Sequence, residues 1–408
     1  MTAPHLFGRK HLAIPGPSVM PDRVLRAMHR AAPNIYEGDL MPLADSIYTD
    51  LNHIARNSGD AIIYIGNGHA TWEASLCNTL SRGDRILALV TGRFGHGWVS
   101  MAEGLGIDVQ VLNFGTTQAA DPALLEAALL EDKQQTFKAV ITVQTDTATS
   151  ISNDLEKIRG AITAAGHPAL LMVDCIASFC CEPFDMDALG VDVMVTACQK
   201  GLMTPPGLGI VFVQDTVWPF YDKADLKTPY WDWGLRARPS YFASRFCGTA
   251  PTHHLYGLRE ALDMLMEEGM ENVWQRHRVQ AQAVWAAVEA WSGSGAMTLN
   301  VPLPSDRSTA VTTINTDPGL AARLRQWCEH NMGLTLGVGL DPEPTSGKQA
   351  DNVFRIGHMG HLNPHALLGT LTCIESGLIS LGVKAPLGGA EAAALALSES
   401  VENHGIFT

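Results

Sequence analysis

From residue 60 onward, short apolar runs alternate with longer stretches whose apolar positions fall three and four apart. DAIIYIG, RILALV, DVQVLNF, KAVITVQ, ALLMVD, VDVMVTA and GIVFV are short runs rich in Val, Ile and Leu. Runs of that kind are buried strands. Between them lie GHATWEASLCNTL, FGHGWVSMAEGLG, PALLEAALLED and DLEKIRGAITAAG, which the spacing predicts as helices. Ahead of them, PDRVLRAMHRA opens with Pro21 near its first turn. LADSIYTDLNHIARNSG sets Leu43, Ile47, Leu51 and Ile54 on one helical face. Strands alternating with helices predict an α/β fold, a mostly parallel seven-stranded sheet sandwiched by helices.

After the last of these strands the pattern changes. Trp218 to Thr252 is rich in Trp, Tyr, Phe and Pro and holds no sustained period. HHLYGLREALDMLMEEGMENVWQRHRVQAQAVWAAVEAW reads as one or two helices, leading into a smaller C-terminal α/β unit. That unit contains strand-like AVTTIN and VFRIGHM and helical LAARLRQWCEHN and NPHALLGTLTCIESGLISLG. Residues 337–352, GVGLDPEPTSGKQADN, read as a long loop, and the Ala-rich tail GGAEAAALALSES as poorly ordered. The expected division is an N-terminal arm (1–20), a large domain ending in an interdomain helix (21–290) and a small domain (291–408). No internal repeat is evident.

Composition narrows the class of function. The chain has 408 residues, enough for two domains, and 46% hydrophobic content supplies their cores. A net charge of −14, with no basic cluster or tail, argues against nucleic acid and anionic membrane as partners. The eight cysteines show no C-x-x-C spacing, and most sit in apolar surroundings. A reduced, cytoplasmic setting is expected. The opening MTAPHLFGRKHLAIPGPS has no signal-peptide core, since Pro15 and Pro17 interrupt its apolar stretch. No window of eighteen apolar residues occurs, so no membrane span is expected.

In parallel sheets, ligands collect at the carboxyl ends of strands. Those ends read GNGHA, TGRFGHG, QTDTATS, DCIAS and CQKG. The glycines of GNGHA allow close backbone approach at a helix N-terminus, which suits a phosphate or simply an ordinary βα turn. Asp174 ends a buried run, where a carboxylate caps a helix, pairs with a cation or accepts from a protonated pyridine nitrogen. Phe94 offers a face for stacking or one more core ring. Thr147 has a hydroxyl whose commonest use is capping. Lys200, in TACQKGLMTPPGLG, is the only charge of its run. An unpaired ammonium buried there is costly, so it is exposed, paired, neutral or held as a Schiff base with an aldehyde cofactor.

Taken together, these stretches resemble the class V aminotransferases of fold type I, which use pyridoxal 5′-phosphate (PLP), and within them the alanine/serine–glyoxylate branch. The likeness runs nearly end to end, from PGPS through GNGHATWEA, VDCIAS, CQKGLMTPPGLG and GTAPTHHLYGLREAL to FRIGHMG. It implies that Lys200 is the Schiff-base lysine and proton shuttle. It makes Asp174 the partner of the pyridine nitrogen, Phe94 the stacked ring and Thr147 a neighbour of the ring hydroxyl. Gly68, His69 and Gln199, with Asn67 and Ile176, fall among the phosphate and ring-side contacts. Thr249 would reach the phosphate from the neighbouring subunit, which implies a homodimer with shared sites. Arg355 would fork the substrate carboxylate, and Tyr36 lies in the segment lining the substrate mouth.

Three departures stand out. Phe246 replaces a tyrosine that often donates to the phosphate, NIYEGDL replaces a common His-Arg pair, and TDTATS places Ser150 where the family carries glycine. The implied function is transfer of an amino group from a small amino acid to glyoxylate or pyruvate. The alternative is a pyridoxamine–pyruvate aminotransferase-like enzyme that takes free B6 vitamer as substrate. A PLP lyase or desulfurase and a catalytically silent binding protein rank below both. A class V desulfurase needs a mobile loop cysteine, and neither Cys247 nor Cys328 lies in an obvious one.

Overall fold

The structure, a computed structural model, describes residues 8–341, 349–384 and 388–403. Its larger sheet has seven strands in the order Asp60–Gly66, Gly207–Val213, Val193–Ala197, Leu170–Asp174, Phe137–Val143, Arg85–Val90 and Asp108–Asn113. Only Gly207–Val213 runs antiparallel to its neighbours. Successive residues of each central strand enter different cores. Ile63, Leu87, Leu171, Met194 and Ile210 pack on one face, where the helices Leu40–Ala55 and Thr252–Glu268 lie. Ile62, Ile86, Met172, Val193 and Val211 pack on the other with Trp72 and Trp98, from the helices Gly68–Thr79 and Arg93–Gly104. Two buried faces explain why these strands read as unbroken apolar runs. Edge strand Asp108–Asn113 has no buried residue.

A second, five-stranded sheet has the order His11–Ala13, Leu334–Leu340, Gln349–Gly357, Val311–Thr316 and Met297–Leu299. Three residues of the N-terminal segment therefore form its parallel edge strand. The helices Leu320–Met332, Pro364–Ser380 and the C-terminal part of Met270–Ser292 supply its core. The long helical stretch is two helices, Thr252–Glu268 and Met270–Ser292, broken at Gly269. Its φ of +81° is the left-handed backbone that glycine adopts without strain. Among the described residues no helix is long and apolar enough to cross a membrane.

Two expectations need correction. The stretch 337–352 is not one loop. Its start belongs to the strand Leu334–Leu340 and its end to the strand Gln349–Gly357, while 342–348 lie outside the described residues. The glycines at 337 and 339 hid the strand, because each packs where a side chain would meet Arg355 or Val353. The tail is not poorly ordered either. Gly389–Asn403 is a helix whose Ala393 and Leu397 are buried in the smaller core. Its small residues let it approach Met270–Ser292 closely, and Gly389 sits directly against Trp291.

The anchor of this terminal helix is Glu375. Its carboxylate accepts from Trp291 Nε1 at 3.0 Å, from Gly388 N at 3.2 Å and from Ala390 N at 3.0 Å. A carboxylate at a helix N-terminus satisfies orphan N–H groups and complements the dipole. Glu375→Ala is expected to lower stability by about 1–3 kcal/mol, since it strands three donors. Denaturant unfolding with an unchanged m-value would measure that loss, and turnover should stay at the parent level.

Candidate active site

The carboxyl ends of the parallel strands converge on an enclosed cavity of roughly 220 Å³. Asn67, Gly68, His69, Phe94, Thr147, Asp174, Ile176, Gln199 and Lys200 all line it. Trp72, Val143, Thr145 and Ala177 line it too, and sequence reasoning had not singled them out. A larger cleft of about 900 Å³ beside residues 9–26 is open, and its Arg9, Arg26 and Glu268 are exposed or half-buried. The enclosed cavity is therefore the candidate.

Each wall follows from local structure. Asn67 caps the Gly68–Thr79 helix, its side chain accepting from His69 N at 3.1 Å and Ala70 N at 3.4 Å. Gly68 packs against Ile176 so closely that a Cβ there would collide with it. The Arg93–Gly104 helix is capped from a distant strand end. Asp146 Oδ2 accepts from Phe94 N at 2.8 Å and Gly95 N at 3.4 Å, and its Oδ1 from Ala148 N at 2.9 Å. Asp146 is fully buried, a role hidden in sequence because the two ends of the bond lie 52 residues apart. His69 and Phe94 flank Trp72, with ring centroids 4.4 and 6.3 Å from it.

Asp174 is 2% exposed. Its Oδ1 accepts from Ile176 N at 2.7 Å and its Oδ2 from Trp72 Nε1 at 2.8 Å. Burial lifts its carboxyl to about 7, against the partial opposition of those two bonds. Lys200, half-buried, donates from Nζ to the Pro15 carbonyl, and the N-terminal segment is pinned there by Ser18 N on Gln199 O at 2.9 Å. Burial lowers the Lys200 ammonium to about 8, and the nearby Arg355 charge adds to the effect.

Arg355 lies behind Thr147 rather than on the cavity wall. Its Nη1 donates to Thr147 O at 2.6 Å and its Nε to Val338 O at 2.7 Å. Its Nη2 has no hydrogen-bond partner among the described residues. The carbonyls of residues 147–150 are each taken by the smaller unit. Thr313 Oγ1 donates to Ala148 O at 3.1 Å, Asn300 Nδ2 to Thr149 O at 2.9 Å and Ser308 N to Ser150 O at 3.0 Å. Glu182, also unforeseen, is buried and bridges the same two parts. It accepts from Thr145 and Ser152 on one side and from Ser308 and Thr309 N on the other.

Besides Arg355, three residues do not join the cavity within one chain. Tyr36 is 87% exposed, and Thr249 is exposed beside Gly248. Phe246 is buried in the larger core, 5.5 Å from the Phe242 ring. The cysteines weighed for a desulfurase differ. Cys247 is exposed, whereas Cys328 is buried within the Leu320–Met332 helix.

The donor set fits a flat, anionic aldehyde with a basic ring nitrogen. It offers a buried carboxyl, Asp174, with no ion pair among the described residues, an amine lowered to about 8 and aromatic rings beside them. It also offers Gln199 Oε1, buried with no partner among the described residues. That is the set PLP requires.

Comparison with known proteins agrees. The family model described as aminotransferase class-V matches residues 52–347. Serine–glyoxylate aminotransferase of Methylorubrum extorquens is 38% identical over 401 residues, covering 97% of each chain. The serine–glyoxylate aminotransferase of Arabidopsis thaliana is 35% identical over 388 residues, 95% of this chain and 94% of its own. The structure of pyridoxamine–pyruvate aminotransferase from Mesorhizobium loti superposes with a TM-score of 0.86 at 25% identity, over 98% of this chain and 100% of that one.

The lowered Lys200 value has a direct readout. Only the neutral amine attacks an aldehyde, so the apoprotein should link the cofactor faster as pH rises, levelling above about 8. An ordinary lysine would keep accelerating toward 10.5. The appearance of visible absorbance, followed by stopped flow across pH, would measure the midpoint.

Proposed function

The chain belongs to the class V aminotransferases, and on that premise we propose that it moves the amino group of a small amino acid, serine foremost, to glyoxylate. The observation that carries the reading is the cavity itself, where a buried carboxyl, a near-neutral amine and a guanidinium one residue behind the wall come together. Its two curated relatives above are serine–glyoxylate aminotransferases, which supports serine and glyoxylate as the pair to test first.

When bound, PLP supplies an electron sink that acidifies the Cα–H of the amino acid joined to it. The chain's own groups do the rest. Asp174 keeps a proton on the pyridine nitrogen, and a cation there draws its carboxyl back down toward the ionised form. Phe94 and His69 would pack against the ring, and the helix start at Asn67–Gly68, which lines the cavity, would hold the phosphate. The Lys200 amine would take the proton from Cα and deliver it to the cofactor's former aldehyde carbon, on the far side of the amino nitrogen. Its lowered value leaves more of the amine neutral at a given pH than an ordinary lysine would have. Arg355, with Nη2 uncommitted, orients the substrate carboxylate.

The working unit in this reading is a homodimer. Thr249 and Tyr36 are exposed and away from their own chain's cavity, as expected of residues that complete the partner's. A second reading, in which free pyridoxamine and pyruvate are substrates, is favoured by one observation. Phe246 is buried in the core and has no hydroxyl to offer a phosphate.

A visible spectrum of the purified protein separates the readings. Bound-cofactor absorbance that shifts with serine and recovers with glyoxylate supports the first. Colourless protein that turns over free pyridoxamine with pyruvate supports the second. Lys200→Ala is expected to cut turnover about 10²–10⁴-fold, the usual worth of a positioned proton-transfer group. Arg355→Lys should raise KM for amino acid and oxo acid roughly tenfold or more, since the planar fork is lost.

A further inference from the structure

Ser150 is an outlier that the site has not yet used. Its φ is +61°. Side chains other than glycine, Asn and Asp avoid that region, so a serine held there points to a use for its hydroxyl. Ser150 is 4% exposed and does not line the cavity. Its contacts show the use. The Oγ–H donates to Thr149 O at 2.6 Å, and the same oxygen accepts from Thr313 N at 3.1 Å.

That acceptor solves a problem in the smaller sheet. Thr313 lies in the strand Val311–Thr316, paired on one side with Gln349–Gly357. On its other side the strand Met297–Leu299 pairs only as far as Ile314. Asn300 N still reaches Thr313 O at 3.0 Å, but Thr313 N has run past the end of its neighbour. A buried N–H without an acceptor is costly, and Thr313 is 3% exposed. The Ser150 hydroxyl takes the place of the missing strand.

The residue directly opposite Thr313 in the ladder is Arg355. We infer that Ser150 is a positioning residue for Arg355: its hydroxyl seats the Thr313–Arg355 rung of the small sheet on the loop that lines the cofactor cavity. The loop thus meets the rung at two points: Arg355 Nη1 rests on Thr147 O, and Thr313, opposite Arg355 in the adjacent strand, is tied to Ser150 three residues further along. A glycine at 150 relieves the backbone but leaves Thr313 N bare. An alanine loses the acceptor and keeps the backbone conformation.

The inference rests on Arg355 as the carboxylate fork. The test is steady-state kinetics of the PLP-loaded enzyme for Ser150→Ala, Ser150→Gly and Arg355→Lys, with cofactor affinity measured by titration. Ser150→Gly fits the left-handed backbone without strain, so it remains informative if the alanine variant folds poorly. Both Ser150 variants should raise KM for amino acid and oxo acid roughly tenfold. Their kcat should stay within about twofold of the parent and their cofactor affinity unchanged, because no contact to cofactor is lost. Parent-like KM in Ser150→Gly alongside raised KM in Arg355→Lys overturns the inference alone. So does a loss spread evenly over KM, kcat and cofactor affinity, which marks a merely structural residue. Parent-like KM in Arg355→Lys removes the premise and the inference with it.

Discussion

The structure turns on the need to pair the buried backbone of the loop Thr145–Ser150. This segment lies between the two sheets, where an unpaired peptide group has no water to turn to. Four successive carbonyls, from Thr147 to Ser150, are answered by Arg355, Thr313, Asn300 and Ser308, all from the smaller unit. The same loop caps the Arg93–Gly104 helix through Asp146 and meets Glu182 through Thr145. One stretch therefore shapes a cavity wall, starts a helix that carries Phe94 and sets the position of the guanidinium behind it. Hydrogen bonds fix such geometry more narrowly than apolar packing, because they are directional.

A second constraint is electrostatic. Asp174, Lys200 and Arg355 are withdrawn from water together, and each departs from its ordinary value chiefly through burial, to about 7, 8 and 10. Burial disfavours every charge, but the groups also act on one another. Arg355 pushes Lys200 down, while Asp174 pulls it up. The outcome is an amine that sheds its proton near neutrality beside a carboxyl that needs a cation. The cofactor's protonated nitrogen answers the second need and its aldehyde consumes the first.

Much of this was legible along the chain. Six strands of the large sheet could be read because burial on both faces makes them near-continuous apolar runs, and the edge strand Asp108–Asn113 by its alternation of polar and apolar residues. The residues at their carboxyl ends converge as the fold rule for parallel sheets requires. Other parts left no local mark. The Gly389–Asn403 helix has weak periodicity, and its order comes from Trp291 and Glu375 in distant helices. The strand Leu334–Leu340 carries two glycines that look like a loop until the close approach of its neighbour is seen. Trp72 carries no local mark that separates it from the other tryptophans, yet its indole N–H donates to Asp174.

The sequence by itself determined the fold class and which polar residues stand at the carboxyl ends of the strands, Asp174 and Lys200 among them. Periodicity and motif spacing are local properties that survive in one dimension. Tertiary structure alone decided which polar groups are shared across the cleft. Asp146 caps a helix 52 residues away, Glu182 spans 126 residues to Ser308, and Ser150 serves a strand 163 residues on. Each acts only once the two sheets have met, because a hydrogen bond specifies a distance in space and leaves no period in the chain.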